Sequence, residues 1–382
     1  MKISASWLTH VETQHLAGAL MTAGFQAVFV GGCVRNALLN EPINDIDLAT
    51  DAVPNQIIAC AKNAGFHSVP TGIEHGTVTV LAGETSIEVT TFRKDIATDG
   101  RHATVAFSTE ISEDAARRDF TINAIYAQSD GTIIDPLRGL SDLEARRVRF
   151  IGSAQDRIRE DYLRILRFFR FHAWYADAAE GLDPDGLAAC ASLADGLDRL
   201  PKERVGAEIM KLLGATDPAP AVAAMAQTGV LARILSGAVV TGLPVLVHWE
   251  GALGVSPDPV RRLACLGGQD PDAALRLSTK QAKRYAQLRM AIGSTQSIAV
   301  LGYQIGAAGA VDVALLRSSL LEQPLALTTK AEADLGAAAE FPVRAADLMP
   351  QMTGPALGAH LKALEARWIA SGFVLSRDDL LS

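Results

Sequence analysis

Two short phrases, Gly31-Gly32-Cys33-Val34-Arg35 and then Asp45-Ile46-Asp47, hold the residues best suited to chemistry. In an extended strand alternate side chains share a face, so the two carboxylates converge on one point while Ile46 packs behind them. A convergent carboxylate pair is how a divalent cation is held, and Asp45 and Asp47 are the expected metal ligands. The run Ala27–Val30 before them reads as a strand. It ends in a diglycine whose bare backbone lets a triphosphate approach closely. An isolated Asp-X-Asp is usually a solvated turn. The joint pattern, set in strand, turn, helix and strand, points instead to nucleotidyl transfer.

Such a centre calls for a third carboxylate to orient or deprotonate the attacking hydroxyl. Glu88, between Ile87 and Val89 in a strand-like run, is the candidate; the solvent face of an edge strand is the competing account. Arg117-Arg118-Asp119-Phe120-Thr121-Ile122-Asn123 packs two guanidiniums, a carboxylate and an amide together. Guanidiniums recognise phosphate bidentately and Asn123 can reach a ribose hydroxyl, although an Arg–Asp network bracing two domains uses the same groups. Glu160 to Arg170 reads as one helix. Tyr162, Ile165, Leu166, Phe169 and Ala173 form its core side, and Asp161, Arg164, Arg167 and Arg170 step along the other. Asp161 and Arg164 would then offer an acceptor and a fork of donors to the edge of a base. Plain helix pairing of Glu160 with Arg164 is the alternative.

These residues need an α/β frame. Strands are expected at Ala27–Val30, Thr77–Leu81, Ser86–Phe92 and Thr104–Phe107, with a helix from Pro54 through Gln56–Ala64 and a turn at Asp130-Gly131. After Gly139 strand signals nearly vanish, and the rest is Ala-, Leu- and Arg-rich with helical spacing and Gly-Pro punctuation. At 382 residues and 49% hydrophobic the chain can build several cores. Met1–His10 is too short an apolar stretch for a signal sequence and no later run reads as a membrane span, so the cytoplasm is expected. Cys33, Cys60, Cys190 and Cys265 lack Cys-X-X-Cys pairing and read as buried free thiols.

The net charge of −8 is a poor match for a nucleic-acid partner taken as a sum, but its distribution is uneven. Residues 1–100 carry 5 basic and 10 acidic side chains, whereas 101–175 carry 12 and 11, every basic one an arginine. Arg276, Lys280, Lys283, Arg284 and Arg289 form a second basic stretch without an acidic residue. It suits a phosphate backbone or an ordinary solvated helix face.

Taken in order, the motifs resemble the class II nucleotidyltransferases, the family of bacterial tRNA CCA-adding enzymes and poly(A) polymerases. Gly31 to Asp47 is similar to its Gly-Gly-X-Val-Arg and Asp-X-Asp signature, Arg117 to Asn123 to its Arg-Arg-Asp-X-X-X-Asn motif, and Glu160 to Arg164 to its Glu-Asp-X-X-Arg motif. Weaker likeness continues at Lys202-Glu203-Arg204, Leu277 to Lys280, Phe341-Pro342 and Gly354 to Gly358. The resemblance implies an α+β fold: a polymerase-β-like head (1–140) followed by an all-α neck (141–215), body (216–325) and tail (326–382). It implies Mg2+ on Asp45 and Asp47. Gly32 and Arg35 would contact the triphosphate, and Arg118 and Asn123 the nucleotide. Asp161 with Arg164 would act as a protein template for cytosine or adenine, with Arg167 and Arg170 completing the wall. The partners implied are the tRNA 3' end, CTP and ATP, with no membrane and no obligate protein partner. Asn36 stands where the family usually has Asp.

The reaction implied is addition or repair of the 3'-terminal CCA without a nucleic-acid template, with release of pyrophosphate. Poly(A) polymerase shares every motif but is disfavoured by the lack of a long basic C-terminal extension. A non-catalytic RNA-binding protein is disfavoured by the intact Asp45, Asp47, Arg118 and Asp161. The polar segment Lys94 to Ala106 reads as a loop bordering the site. In the resembling family such a loop switches specificity from C to A, which favours a complete CCA-adding enzyme over a CC-adding one.

Overall fold

A computed structural model describes residues 1–43, 45–83, 85–98, 103–177, 179–349 and 352–382, with the backbone alone for 95–98 and 103–105. The chain divides into two compact units, Met1–Ser236 and Gly237–Ser382. The expected boundaries near residues 140 and 215 fall inside the first unit and that near 325 inside the second.

The first unit opens on helices Ser6–Thr9 and Val11–Thr22 and then, with helices between some of them, carries strands β1 (Ala27–Val30), β2 (Ile46–Thr50), β3 (His67–Gly72), β4 (Thr77–Ala82), β5 (Thr85–Thr91), β6 (Arg93–Thr98), β7 (Ala103–Phe107), β8 (Tyr126–Ala127) and β9 (Ile133–Ile134). Seven form one sheet in the order β3-β4-β5-β2-β1-β8-β9. Only β2 and β5 run parallel in it, in a register that sets Asp47 against Glu88. The apolar run of β1 is buried throughout, as expected of a strand covered on both faces. On one side Phe29 meets Trp7 edge-on, with ring centroids 5.1 Å apart. On the other Val28, Val30 and Ala49 pack with Phe92, Ala115, Ala124 and Tyr126. Asp47 alternates with Leu48, so it stands on this second face where the core opens. Helix Pro54–Asn63 starts as expected on proline, and the Val53 N–H donates to Gln56 Oε1 at 2.9 Å.

Neither β3 nor β6 was expected from the sequence. β3 is an edge strand carrying Pro70, which donates nothing to a ladder. β6 lies inside the segment read as a polar loop and pairs with β7 as a two-stranded ribbon. Its sequence, RKDIAT, shows no apolar alternation, so only the pairing makes it a strand. The tip, 99–102, lies outside the described residues.

From Gly139 onward the unit is helical, as the loss of strand signals implied. The expected single helix over Glu160–Arg170 is instead two, Ala154–Glu160 and Leu163–Tyr175, broken at Asp161. Asp161 is extended (φ −151°), and its Oδ1 accepts the Leu163 N–H at 3.0 Å. A short side-chain acceptor offers the backbone an alternative to the helical ladder. Leu163, Phe168, Phe171 and His172 are buried besides Ile165, Leu166 and Phe169, so the helix is covered well beyond one stripe. Phe120 stacks within 4.9 Å of Phe150 and 5.0 Å of Phe171, anchoring the Arg117–Asn123 segment to this helix.

The second unit is built of helices. Ile298–Leu321 is long and apolar enough, by length and composition, to cross a membrane, contrary to the expectation that no run was. Its apolar content has another use here. Non-helical backbone at Gly306 (φ 79°) interrupts it, and the part from Ala310 to Ser319 is buried and carries Asp312 and Arg317. Asp312 joins a buried ionic cluster: Arg261 donates to Glu250 at 2.8 Å and to Asp312 at 2.7 Å, and Arg262 to Glu250 at 2.6 Å. The basic stretch on helix Thr279–Ile292 is split between duties. Arg284 pairs with Asp258 and Asp312, and Arg289 donates to the Ala264 carbonyl, whereas Lys280 and Lys283 are exposed. Near the C-terminus Trp368 gathers Tyr303, Phe341 and Phe373 around it.

Candidate active site

A cavity of about 390 Å³ opens in the first unit beside β2 and β5. Its lining includes Asp47, Glu88, Thr77 and Thr90 from the sheet together with Arg93, Arg117, Arg118, Arg164, Arg167 and Arg204 and the carboxylates Asp119 and Asp161. Carboxylates and a cluster of arginines thus share one cavity.

The placement of the sheet carboxylates follows from register. Because β2 and β5 are parallel with Asp47 opposite Glu88, both side chains leave the same face of the sheet. Asp45 directly precedes β2 and is exposed; it is close enough to raise the Asp47 pKa but does not line the cavity. Asp47 is pushed up from 3.8 to about 6, chiefly by burial and further by Glu88 and Asp45, with Arg118 and Arg35 opposing. Crowded carboxylates of this kind call for a cation. Among the described residues no three His, Cys, Asp or Glu side chains form a ready metal cluster. A pair of carboxylates completed by substrate phosphates and water is nevertheless the usual arrangement for a magnesium-sized ion, so the donor set fits one.

Gly31 brings the backbone to this point. Its φ of 76° is open to glycine without strain, and a Cβ there would stand 3.7 Å from Asp47 Oδ2 and 3.8 Å from Arg118 Nη1. Gly32 opens helix Gly32–Leu39, so the first-turn N–H end of that helix lies at the turn.

The arginines are held in place. Asp114, buried, takes Arg117 Nε at 2.9 Å, Arg118 Nη2 at 2.9 Å and the Tyr126 hydroxyl at 2.8 Å. Burial works against ionising Asp114, but the two guanidiniums prevail and hold it at about 2. Burial likewise disfavours charge on Arg118, and Asp114 more than reverses it, so its pKa is raised. Asp119 accepts Arg167 Nε at 2.7 Å and Asn123 Nδ2 at 2.9 Å. Burial raises the Asp119 pKa, and Arg167 more than offsets it, so the carboxyl ends well below the usual range.

The base-recognition pair is arranged otherwise than a common helix face would have it. Asp161 Oδ2 accepts Arg204 Nη2 at 2.7 Å. Arg164 bonds the Glu160 carboxylate and donates to the Arg157 and Arg117 carbonyls at 2.9 and 3.0 Å. Both residues border the cavity, with the Glu160–Arg164 pairing in place.

Five expected site residues do not line the cavity: Asp45 and Gly32, placed above, and Arg35, Asn123 and Arg170. Arg35 is buried beneath the glycine turn, Asn123 links Arg35 to Asp119, and Arg170 donates to Glu208 on helix Lys202–Leu213 at 2.6 Å. Asn36 replaces a carboxylate with two bonds of different sense: Oδ1 accepts Arg35 Nη2 at 2.9 Å, and Nδ2 donates to the Pro42 carbonyl at 2.6 Å. Sequence reasoning missed Arg93, Asp114 and Arg204. Asp114 was findable, three and four residues before Arg117 and Arg118. Arg204 had only the weak Lys202-Glu203-Arg204 likeness, and Arg93 had no signal at all.

Comparisons with known proteins give the family. A family profile described as "Poly A polymerase head domain" matches residues 27–149, and one described as "Probable RNA and SrmB- binding site of polymerase A" matches 181–239. The mitochondrial CCA tRNA nucleotidyltransferase 1 of Homo sapiens is 34% identical over 374 residues, covering 92% of this chain and 85% of that protein. The CCA-adding enzyme of Leuconostoc citreum is 42% identical over 215 residues, 56% of this chain and 52% of that one. The crystal structure of the Bacillus stearothermophilus CCA-adding enzyme in complex with CTP superposes with a TM-score of 0.71 at 29% identity, covering 96% of this chain and 94% of the other. With an α+β head, helices after it, and relatives alike over nearly its whole length, the chain belongs to the class II tRNA nucleotidyltransferase and poly(A) polymerase family.

Proposed function

We propose that this chain is a template-independent tRNA nucleotidyltransferase that adds or repairs the 3'-terminal CCA from CTP and ATP and releases pyrophosphate. The observation that carries the reading is the pairing of Asp47 with Glu88 on one sheet face, beside the Gly31 turn and in one cavity with the arginines. Head, neck, body and tail at 1–140, 141–215, 216–325 and 326–382 remain the proposed division of labour. Four free, buried thiols support a reducing compartment, and the cytoplasm is the proposed one.

In this mechanism the tRNA 3'-oxygen forms a bond to the α-phosphorus, the bond from that phosphorus to the β-bridging oxygen breaks, and the hydroxyl proton leaves to a carboxylate or water. Glu88, exposed in the cavity beside Asp47, is placed to orient that hydroxyl and receive its proton. Arg117 and Arg118, locked on Asp114, offer fixed donors to the triphosphate and to the charge that builds on pyrophosphate. Gly31 and Gly32 let it approach the backbone. Asp161, with Arg164 once it exchanges the Glu160 carboxylate for a base edge, would discriminate cytosine and adenine. Enzymes of this family are metal-dependent, and the ion proposed is Mg2+ on Asp45 and Asp47. When bound, it would stabilise charge on the reacting oxygens.

The test is incubation with tRNA ending before, within and after CCA, with each NTP supplied separately and products read at single-nucleotide resolution. Addition of C, C and A in order, stopping after one A, is expected. Repeated A addition from ATP alone would identify a poly(A) polymerase, and no incorporation a non-catalytic RNA-binding protein.

A further inference from the structure

A buried arginine usually rests against a carboxylate, and Arg35 does not. Its guanidinium, 6% exposed, donates to Asn36 Oδ1 from Nε at 3.1 Å and from Nη2 at 2.9 Å, to Asn123 Oδ1 from Nη1, and to the Tyr175 hydroxyl from Nη2 at 2.8 Å. Every one of these acceptors is neutral. The rings below it are also neutral: Arg35 Cζ lies 4.0 Å from the Tyr175 ring centroid and 5.1 Å from that of Phe171. The nearest acid in the bonded chain is Asp119, one amide further away and already paired with Arg167. Leaving a buried cation without a contacting anion is costly unless the site receives one. The place where it would is adjacent. Arg35 Nη2 stands 3.8 Å from the position of a Cβ on Gly32, directly under the turn.

We propose that Tyr175 is a positioning residue for the triphosphate: it holds the Arg35 guanidinium beneath the Gly31–Gly32 turn by stacking and by hydrogen bonding, without neutralising it. A carboxylate in its place would orient the arginine equally well but spend its field inside the protein. A ring face and a hydroxyl orient it and leave the charge directed at whatever anion binds above. Because Tyr175 closes helix Leu163–Tyr175 while Arg35 lies on Gly32–Leu39, the clamp also ties the phosphate turn to the helix carrying Arg164 and Arg167. The inference rests on the nucleotidyl-transfer reading above.

The experiment compares Tyr175→Leu, Tyr175→Phe and, as control, Trp174→Phe, whose indole donates instead to the Lys211 carbonyl. Tyr175→Leu should raise KM about tenfold for CTP and ATP alike, and Tyr175→Phe, which keeps the ring, about threefold. kcat, the KM for tRNA and the control should stay near wild type. Binding of inorganic tripolyphosphate should weaken by the same factors, while binding of cytidine stays unchanged. Unchanged KM and tripolyphosphate affinity with a lowered melting temperature would overturn the proposal, as would a loss confined to one nucleotide. If Tyr175→Leu does not fold, Tyr175→Phe decides by the same criteria. A wild-type protein that incorporates neither C nor A refutes the functional reading, and the tripolyphosphate measurement then still judges the clamp.

Discussion

Replacing Asp47 with Asn should make the protein more stable at neutral pH while abolishing nucleotide incorporation. Asp47 titrates near 6 in the folded chain, against an ordinary 3.8, because burial and then the Glu88 and Asp45 carboxylates outweigh Arg118. Between those values the folded state binds more protons than the unfolded state, so stability falls as pH rises. The contribution is fully present below 3.8 and is lost once pH passes about 6. A displacement of that size corresponds to ~3 kcal/mol. Asn keeps the shape and removes the charge, so Asp47→Asn should recover about 1 to 3 kcal/mol, roughly 2 to 10 °C in melting temperature for a unit of this size. The assay is urea or thermal unfolding of both proteins from pH 4 to 8 in EDTA. The two curves should meet near pH 4 and separate above pH 6. Added Mg2+ should then stabilise wild type alone and close the gap, because a ligand that binds only the native state stabilises it by mass action. A variant less stable than wild type at pH 7.5 in EDTA, or a gap that does not shrink on acidification, would refute the reasoning.

Three further outcomes are expected. Arg164→Ala should blur the choice of CTP and ATP over UTP and GTP more than it weakens triphosphate affinity, measured as kcat/KM for each nucleotide; equal loss for all four would make Arg164 a phosphate contact. Glu250→Gln leaves Arg261 with Asp312 but sets it and Arg262 against a neutral amide, and urea unfolding should show a loss of about 3 to 5 kcal/mol, with addition of C preserved where the protein remains folded. Shortening 96–102 to a tight turn should leave addition of two C residues near normal and stop the product before the terminal A; unchanged completion of CCA would remove the ribbon from the specificity switch.

Where a signal is local, the sequence carried it. The strand Ala27–Val30 ahead of the diglycine, proline at the start of helix Pro54–Asn63 and the loss of strand alternation after residue 139 all express backbone geometry over a few residues, and the fold contains each element; of the Asp45–Asp47 pair only Asp47 lies within a strand. Reading Glu160–Arg170 as one helix failed because apolar periodicity continues across Asp161. The break comes from a side-chain acceptor competing for the backbone and from Arg204, 43 residues away, taking the other oxygen.

Which polar groups face the cavity was decided only in three dimensions. Glu88 could equally have been the solvent face of an edge strand, and the parallel pairing of β5 with β2 is what sets it beside Asp47. Arg35 and Arg118 look alike in sequence, each a guanidinium near glycine or acid. Asp114 and Tyr126 aim Arg118 into the cavity, whereas Asn36, Asn123 and Tyr175 keep Arg35 beneath it. Residue type and spacing determined that this chain holds the parts of a phosphoryl-transfer centre, because strand and helix periods are properties of short stretches of backbone. The tertiary structure alone decided which charges border the cavity and which are spent on one another, because a long side chain's direction is set by partners that sequence spacing does not reveal.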